Sequence, residues 1–380
     1  MLLFLLTAVA LLPGQPPYRV LKQGGHLVRE DSGAFALPAG MPLRLTVPGE
    51  VTVRGGAGPR VSYRILTRFR PDAAPPRAPF GFLTTQNAGV LHAWLPGRAR
   101  DAAVELTVPA STPSLVVRVG DGAVTVTGLS GNVQVQAGAG AIRLDQIGGR
   151  IQAETGGGPI QVGVVDGPVD CRTGGGGITL RRARSSCALR TEGGEVAVQE
   201  AGGPLRVETQ GGNIQIWRAL STVEALAAGG LVEVNQAAGR VVARVGDGGI
   251  HIGNAVGADC RLQAGTIRLD TVRGALHAVT GRGEILAQWE GPLEDSRLLN
   301  GEGDITVVMP SNLRATVQAK SQAAGTVGGI VTDFHQLLAP NWFWLFRPPD
   351  SLAARLNGGG PRLVVSTTGG VIYLKKQKTE

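Results

Sequence analysis

The residue types that do chemistry are present in this 380-residue chain, but they do not gather into a motif. Histidine occurs at His26, His92, His251, His277 and His335, with no serine or cysteine partner at the spacing a nucleophile and its base require. Carboxylates that could pair for general acid–base work include Asp145, Asp166, Asp170 and Asp270. They occupy different places in the local pattern, so no column of repeated Asp or Glu lines one face. The cysteines, Cys171, Cys187 and Cys260, are odd in number, form no CxxC pair and fall at or near apolar positions. That pattern fits small buried hydrophobes better than a disulfide framework or a zinc site. The glycine clusters lack the GK[ST] ending of a phosphate loop and precede strands instead of helices. No catalytic residue, no cofactor and no metal site is expected.

What must position any side chain here is a repeat. From Asn132 to Gly257 the sequence lines up in rows of eighteen, from NVQVQAGAGAIRLDQIGG to RVVARVGDGGIHIGNAVG, and the period begins one row earlier at Ser114. Each row splits into two halves of nine, an apolar-x-apolar core followed by a glycine-bearing turn. Apolar residues recur at the second and fourth positions, as in Val133 and Val135, Ile151 and Ala153, Val169 and Cys171. The second half repeats this with Ile142 and Leu144, Ile160 and Val162, Ile178 and Leu180. A period of two puts these side chains on the inward face of short strands. A short fixed period of stacked units is the mark of a solenoid. The expected fold is all-β, a parallel β-solenoid of β-helix or two-sheet β-roll type, with one coil per row and roughly 4.8 Å between coils. A third short strand per coil remains open, because Gly163-Val164-Val165 and its counterparts could hold one.

Glycine turns at nine-residue spacing invite comparison with calcium-binding β-rolls, which need a carboxylate at a fixed place in successive turns. Here that place falls on Gln161, Thr179, Ala197, Gln215, Glu233 and His251, so calcium stacking is disfavoured. Thr155, Thr173, Thr191 and Thr209 recur every eighteen residues at the strand-to-turn junction. A threonine ladder can face an ordered ligand, but at a turn edge it is first a structural device. On the outer face Glu154 should neighbour Arg172, Arg190 should neighbour Glu208, and Arg206 should neighbour Glu224, opposite charges that help set sheet register.

Glycine is 58 of 380 residues while 43% of the chain is hydrophobic, which excludes collagen-like and disordered classes. The formal charge of +8 suits an anionic partner. Arginine carries nearly all of it, a bias that GC-rich coding explains as well. Residues 1–17 read as a signal peptide: MLLFLLTAVALL has the length of an export leader, with Ala8-Val9-Ala10 as a small-x-small cleavage site, and no transmembrane span is expected in the mature chain. Residues 18–113 lack the period but contain β-rich runs such as LRLTV (43–47), VSYRIL (61–66) and AVELTVP (103–109), and form an expected N-terminal β cap. Solenoid repeats occupy 114–332. Residues 333–360 break the pattern, and a final coil with a basic tail fills 361–380. Five aromatics crowd the break, Phe334, Trp342, Phe343, Trp344 and Phe346, with Arg347 beside them. They are expected either to plug the last coils or to contact a partner or membrane interface.

The run ELTVPASTPSLVVRVGDGAVTVTGLSGNVQVQAGAGAIRL, the T-x-G-G-x-I-x-V rows and the closing GGGPRLVVSTTGGVIYLKK together resemble the bacterial DUF4097 proteins, also known as adhesin-like or toast-rack domains. The likeness covers roughly residues 35 to 378. It implies an exported β-solenoid, periplasmic or on the cell surface, with no established enzyme activity or cofactor. The implied roles are an envelope scaffold, an adhesin-like binding protein or an envelope-stress signalling accessory. Its partner would be an envelope protein, a polysaccharide or an anionic lipid surface, with nucleic acid disfavoured. The competing reading is a carbohydrate-active parallel β-helix enzyme, which would require carboxylates brought together on one surface by distant coils.

Overall fold

The computed structural model describes residues 18–23, 26–69, 80–84, 89–93, 102–322, 329–337 and 349–377; the expected leader lies outside them. The chain divides into two compact units, residues 1–178 and 179–380. Both are β-solenoids built from parallel ladders, and among the described residues the one helical element is a 3-10 turn at His335–Leu337.

In unit 1 the strands Ser114–Val119, Asn132–Ala137, Ile151–Thr155 and Val169–Thr173 stack in parallel as one sheet, with Val133 opposite Ile151 and Ile151 opposite Val169. The strands Val124–Leu129, Ile142–Ile147 and Ile160–Val165 form the second. Register advances by the eighteen residues of the repeat. Val133, Val135, Ile142 and Leu144 are at most 1% exposed and meet between the sheets. The second strand of each coil bends. In Ile142–Ile147 the buried Ile142 and Leu144 alternate with outward residues, and a third inward side chain, Ile147, follows two outward ones. Asp145 holds this bend by accepting from the amides of Gln146 and, one coil on, Val164. The coil thus has two strands, the second with a corner.

One turn position must be glycine because successive turn backbones stack directly on each other. A Cβ on Gly158 would lie 2.2 Å from the Gly140 carbonyl oxygen, and one on Gly176 would lie 2.1 Å from that of Gly158. No side chain fits in that column, whereas two residues earlier the column of Gly138, Gly156 and Gly174 goes on to Glu192 and Gln210.

The parallel ladder extends past the residues where the period is visible. Leu43–Val47 and Glu50–Gly56 pack in register on the Ser114 coil, with Leu43 opposite Leu115 and Val51 opposite Val124. Gly89–Ala93 and Ala102–Pro109 lie outside that coil although they follow it in sequence. Antiparallel strands then close the end: Phe80–Thr84 on Gly89–Ala93, and Arg60–Phe69, His26–Ala36 and Tyr18–Gln23 in succession on Ala102–Pro109.

Unit 2 continues the same scheme through Cys187–Thr191, Leu205–Thr209, Val196–Ala201 and Ile214–Ala219. From Val223 the turns themselves join the ladder, so Val241–Leu293 forms one uninterrupted extended run. The final coil is again displaced. Arg362–Gly369 lies between Ser296–Glu302 and Ala315–Ser321, and Val371–Lys376 lies between Ile305–Met309 and Gly329–Thr332. The antiparallel strand Ser351–Leu356 covers Ala315–Ser321. On that sheet an antiparallel strand covers the parallel edge on which another chain could add.

Candidate functional site

Of the aromatic segment, Phe334 is packed inside the fold. Phe334 is 2% exposed, its carbonyl accepts from the Leu337 amide in the 3-10 turn, and Lys376 Nζ lies 5.5 Å from its ring centroid. Trp342, Phe343, Trp344, Phe346 and Arg347 lie outside the described residues.

The threonine ladder is turned inward. In unit 1 Thr155 and Thr173 are buried and donate to the carbonyls of Gly140 and Gly158 at 2.9 and 2.8 Å. The same hydroxyls accept the amides of Gly158 and Gly176, so each threonine closes a turn from both sides. In unit 2 Thr209 repeats this, and Asn300, Ser321 and Thr367 take over the duty in the irregular coils, donating to the carbonyls of Gly283, Gly370 and Gly303. All three cysteines are buried. Burial pushes the Cys187 thiol up to about 12, and burial together with the charge of Asp259 pushes that of Cys260 higher still. Neither supplies a thiolate nucleophile at neutral pH.

The outer faces carry the remaining chemistry. In unit 1 a shallow groove of about 450 Å³ runs past Arg118, Gln136 and Glu154, where Arg118 Nε donates to Gln136 Oε1 at 3.0 Å. In unit 2 a more connected strip crosses the second sheet. Gln215, Glu233 and His251 stand in one column on successive coils, each between two buried residues of its strand. Gln215 Nε2 donates to Glu233 Oε2 at 3.4 Å, and Glu233 Oε1 is 3.8 Å from His251 Nδ1. His251 Nε2 is 2.7 Å from Asp270 Oδ2, and Arg268 Nε donates to Asp270 Oδ1 at 2.7 Å. Burial alone would raise the Asp270 carboxyl, but the hydrogen bonds and charges of His251 and Arg268 outweigh it and hold the group below the usual carboxylate value.

Beside this strip stands Trp217, 58% exposed, at the bend of Ile214–Ala219. Ile216 is opposite Val234 and Arg218 opposite Gln236, which brackets Trp217 against Asn235 of the next coil. The following residue in that row is Gly253, bracketed in the same way by Ile252 and Asn254. Without a side chain at Gly253, the imidazole of His251 reaches diagonally to Asp270.

The connection of His251 to Asp270 is not apparent when rows are read every eighteen residues. The coil from Ile250 to Ile267 is one residue short, so a step of eighteen from His251 lands on buried Leu269. The clue in the sequence is the shortened turn itself. Trp217 could be found by its place two residues beyond Gln215, on the outward side of an otherwise polar column.

No protein-family model matches the chain, and no curated protein matches it, so the resemblance to toast-rack domains stands on its residues alone. Two solved structures align along most of its length. One is a candidate cell adhesion protein from Clostridium sporogenes, 9% identical, covering 92% of this chain and 100% of its own, with a TM-score of 0.23. The other is a candidate adhesin from Bacteroides fragilis, 10% identical, covering 92% and 97%, with a TM-score of 0.31. At that distance neither serves as a template for this chain.

Proposed function

We propose that the chain is an exported, non-enzymatic β-solenoid serving as an adhesin-like envelope scaffold, which binds through an outer sheet face. The observation that supports this is Trp217, held 58% exposed on a face whose other side chains bond one another from coil to coil. A large aromatic costs free energy when left in water, and a ladder-locked backbone presents it without an ordering cost on binding. The enzyme reading requires a proton donor with a raised pKa next to a second carboxylate. Glu233 and Asp270 do flank His251, but Asp270 is shifted the opposite way and is bonded to two cationic or hydrogen-donating partners. That arrangement favours binding over proton transfer. Affinity capture of envelope fractions on the immobilised full chain tests the reading. Retention of a specific envelope component is expected; a chain that retains nothing, or that cleaves envelope polysaccharide, overturns it.

A further inference from the structure

We infer that the Trp217 face of unit 2 is a glycan-binding subsite for an extended, uncharged polysaccharide, with one sugar ring stacked on the indole. The inference rests on the surface-binding reading above and names its ligand class.

A pyranose offers two chemistries at once, an apolar face of C–H bonds and a rim of hydroxyls. An exposed indole takes the first. Planar amides and carboxylates take the second, because each can bond two neighbouring hydroxyls. Trp217 has such groups as its outward neighbours: Gln215 two residues away on its own strand, Asn235 beside it on the next coil, and Glu233 next to both. Glu233 is already oriented by Gln215 on one side and His251 on the other.

Other occupants make different demands. A protein interface is centred on a contiguous apolar core, whereas Trp217 is bordered by amides, a carboxylate and Arg218, with the exposed Leu220 set apart from it past the Ala219 corner. An anionic membrane selects basic residues around its aromatics. On this face Arg218 stands opposite Glu200, which is paired with Arg182, and Arg268 is bonded to Asp270, so basic groups are met by carboxylates, in contrast to the +8 of the whole chain and in keeping with an uncharged ligand. The spacing fits as well. Coils succeed one another at about 4.8 Å, close to one ring of an extended glycan, so a chain laid along the solenoid meets Trp217, then Asn235, then the bonded His251–Asp270 pair beside Gly253.

The test uses the full chain and two readouts. Soluble neutral hexasaccharides of β-1,4-glucose, β-1,4-N-acetylglucosamine and β-1,3-glucose are titrated calorimetrically and by tryptophan fluorescence, with polygalacturonate as the anionic arm. At least one neutral hexasaccharide is expected to bind saturably. Trp217→Ala should then weaken binding about tenfold or more and Trp217→Phe should retain most of it, both with an unchanged denaturation midpoint. Glu233→Gln and Asn235→Ala should give smaller losses. Envelope capture that Trp217→Ala leaves intact overturns the subsite while the surface-binding reading stands. Failure of all neutral glycans, or binding of polygalacturonate alone, also overturns the subsite. Neutral-glycan binding through Trp217 without any capture from envelope fractions upholds the subsite and sinks the envelope reading.

Discussion

Two tryptophans of unit 2 occupy opposite sides of its sheet wall. Trp289 is fully buried, with its indole Nε1 donating to the Gly274 carbonyl at 3.3 Å. Trp217 lies out on the second sheet. The regular coils place Ala219, Ala237 and Ala255 at the inward corner, while the strand that starts at Ile285 arrives one residue short and ends its inward pattern on Trp289. A large side chain fills what the missing residue would leave empty. The contrast separates two kinds of position. Inside, bulk compensates for irregular coil length, and the indole of Trp289 and the hydroxyls of Thr155, Thr173 and Thr209 are met by backbone; outside, side chains bond each other and leave one aromatic surface free.

The largest effect should come from removing the interior member. Trp289→Ala removes a fully buried ring from the corner and should cost about 3–5 kcal/mol of stability. Chemical denaturation followed by far-UV circular dichroism measures it. A loss near zero would mean that the corner relaxes and that the interior is not organised around this ring.

Inward polar positions should come next. Thr173→Val keeps the shape but strands the Gly158 carbonyl and the Gly176 amide that the hydroxyl now serves. The expected cost is about 1–3 kcal/mol, because a buried backbone group left unpaired loses its full desolvation. Thr173→Ser should restore most of it, and a valine variant as stable as the parent would show that the ladder is incidental.

These interior positions were the legible part of the molecule. The two-residue alternation predicts which of Val133 to Leu144 turn inward, and the eighteen-residue step predicts the pairs Arg190 with Glu208 and Arg206 with Glu224, which the structure joins at 2.9 Å in each case. What escaped was whatever depends on coil length or distant pairing. Asn300 and Thr367 share the duty of Thr209 but cannot be aligned with it across coils of changed length. The insertion of Arg362–Gly369 between two earlier coils leaves no local trace, because a strand's side-chain alternation is the same whichever neighbour it pairs with. Coil 43–56 escaped for the same reason, being separated from its partner at Ser114 by the antiparallel strands that cover the end.

The outer strip should respond to acid more than to truncation. Asp270 has a depressed folded-state pKa, so its contribution to stability is present above the unfolded value of 3.8 and is lost as pH falls below that through the folded value. Asp270→Asn should remove this part of the acid limb, flattening the fall of the denaturation midpoint as pH drops below 3.8 relative to the parent. The difference should shrink in high salt, since the group is partly exposed to solvent. An acid limb unchanged by the substitution would mean that His251 and Arg268 do not hold the carboxylate in solution.

The smallest change in stability should come from the exposed tryptophan. Trp217 fills no cavity, and its strand is held by Ile214, Ile216 and Ala219 on the inward side, so Trp217→Ala should fall within about 0.5 kcal/mol of the parent. Equal denaturation midpoints beside a large loss for Trp289→Ala would establish that the two rings answer to different demands. A destabilisation of Trp217→Ala approaching that of Trp289→Ala would erase the distinction, because the exposed ring would then be a structural brace for the sheet and not a surface kept for a ligand.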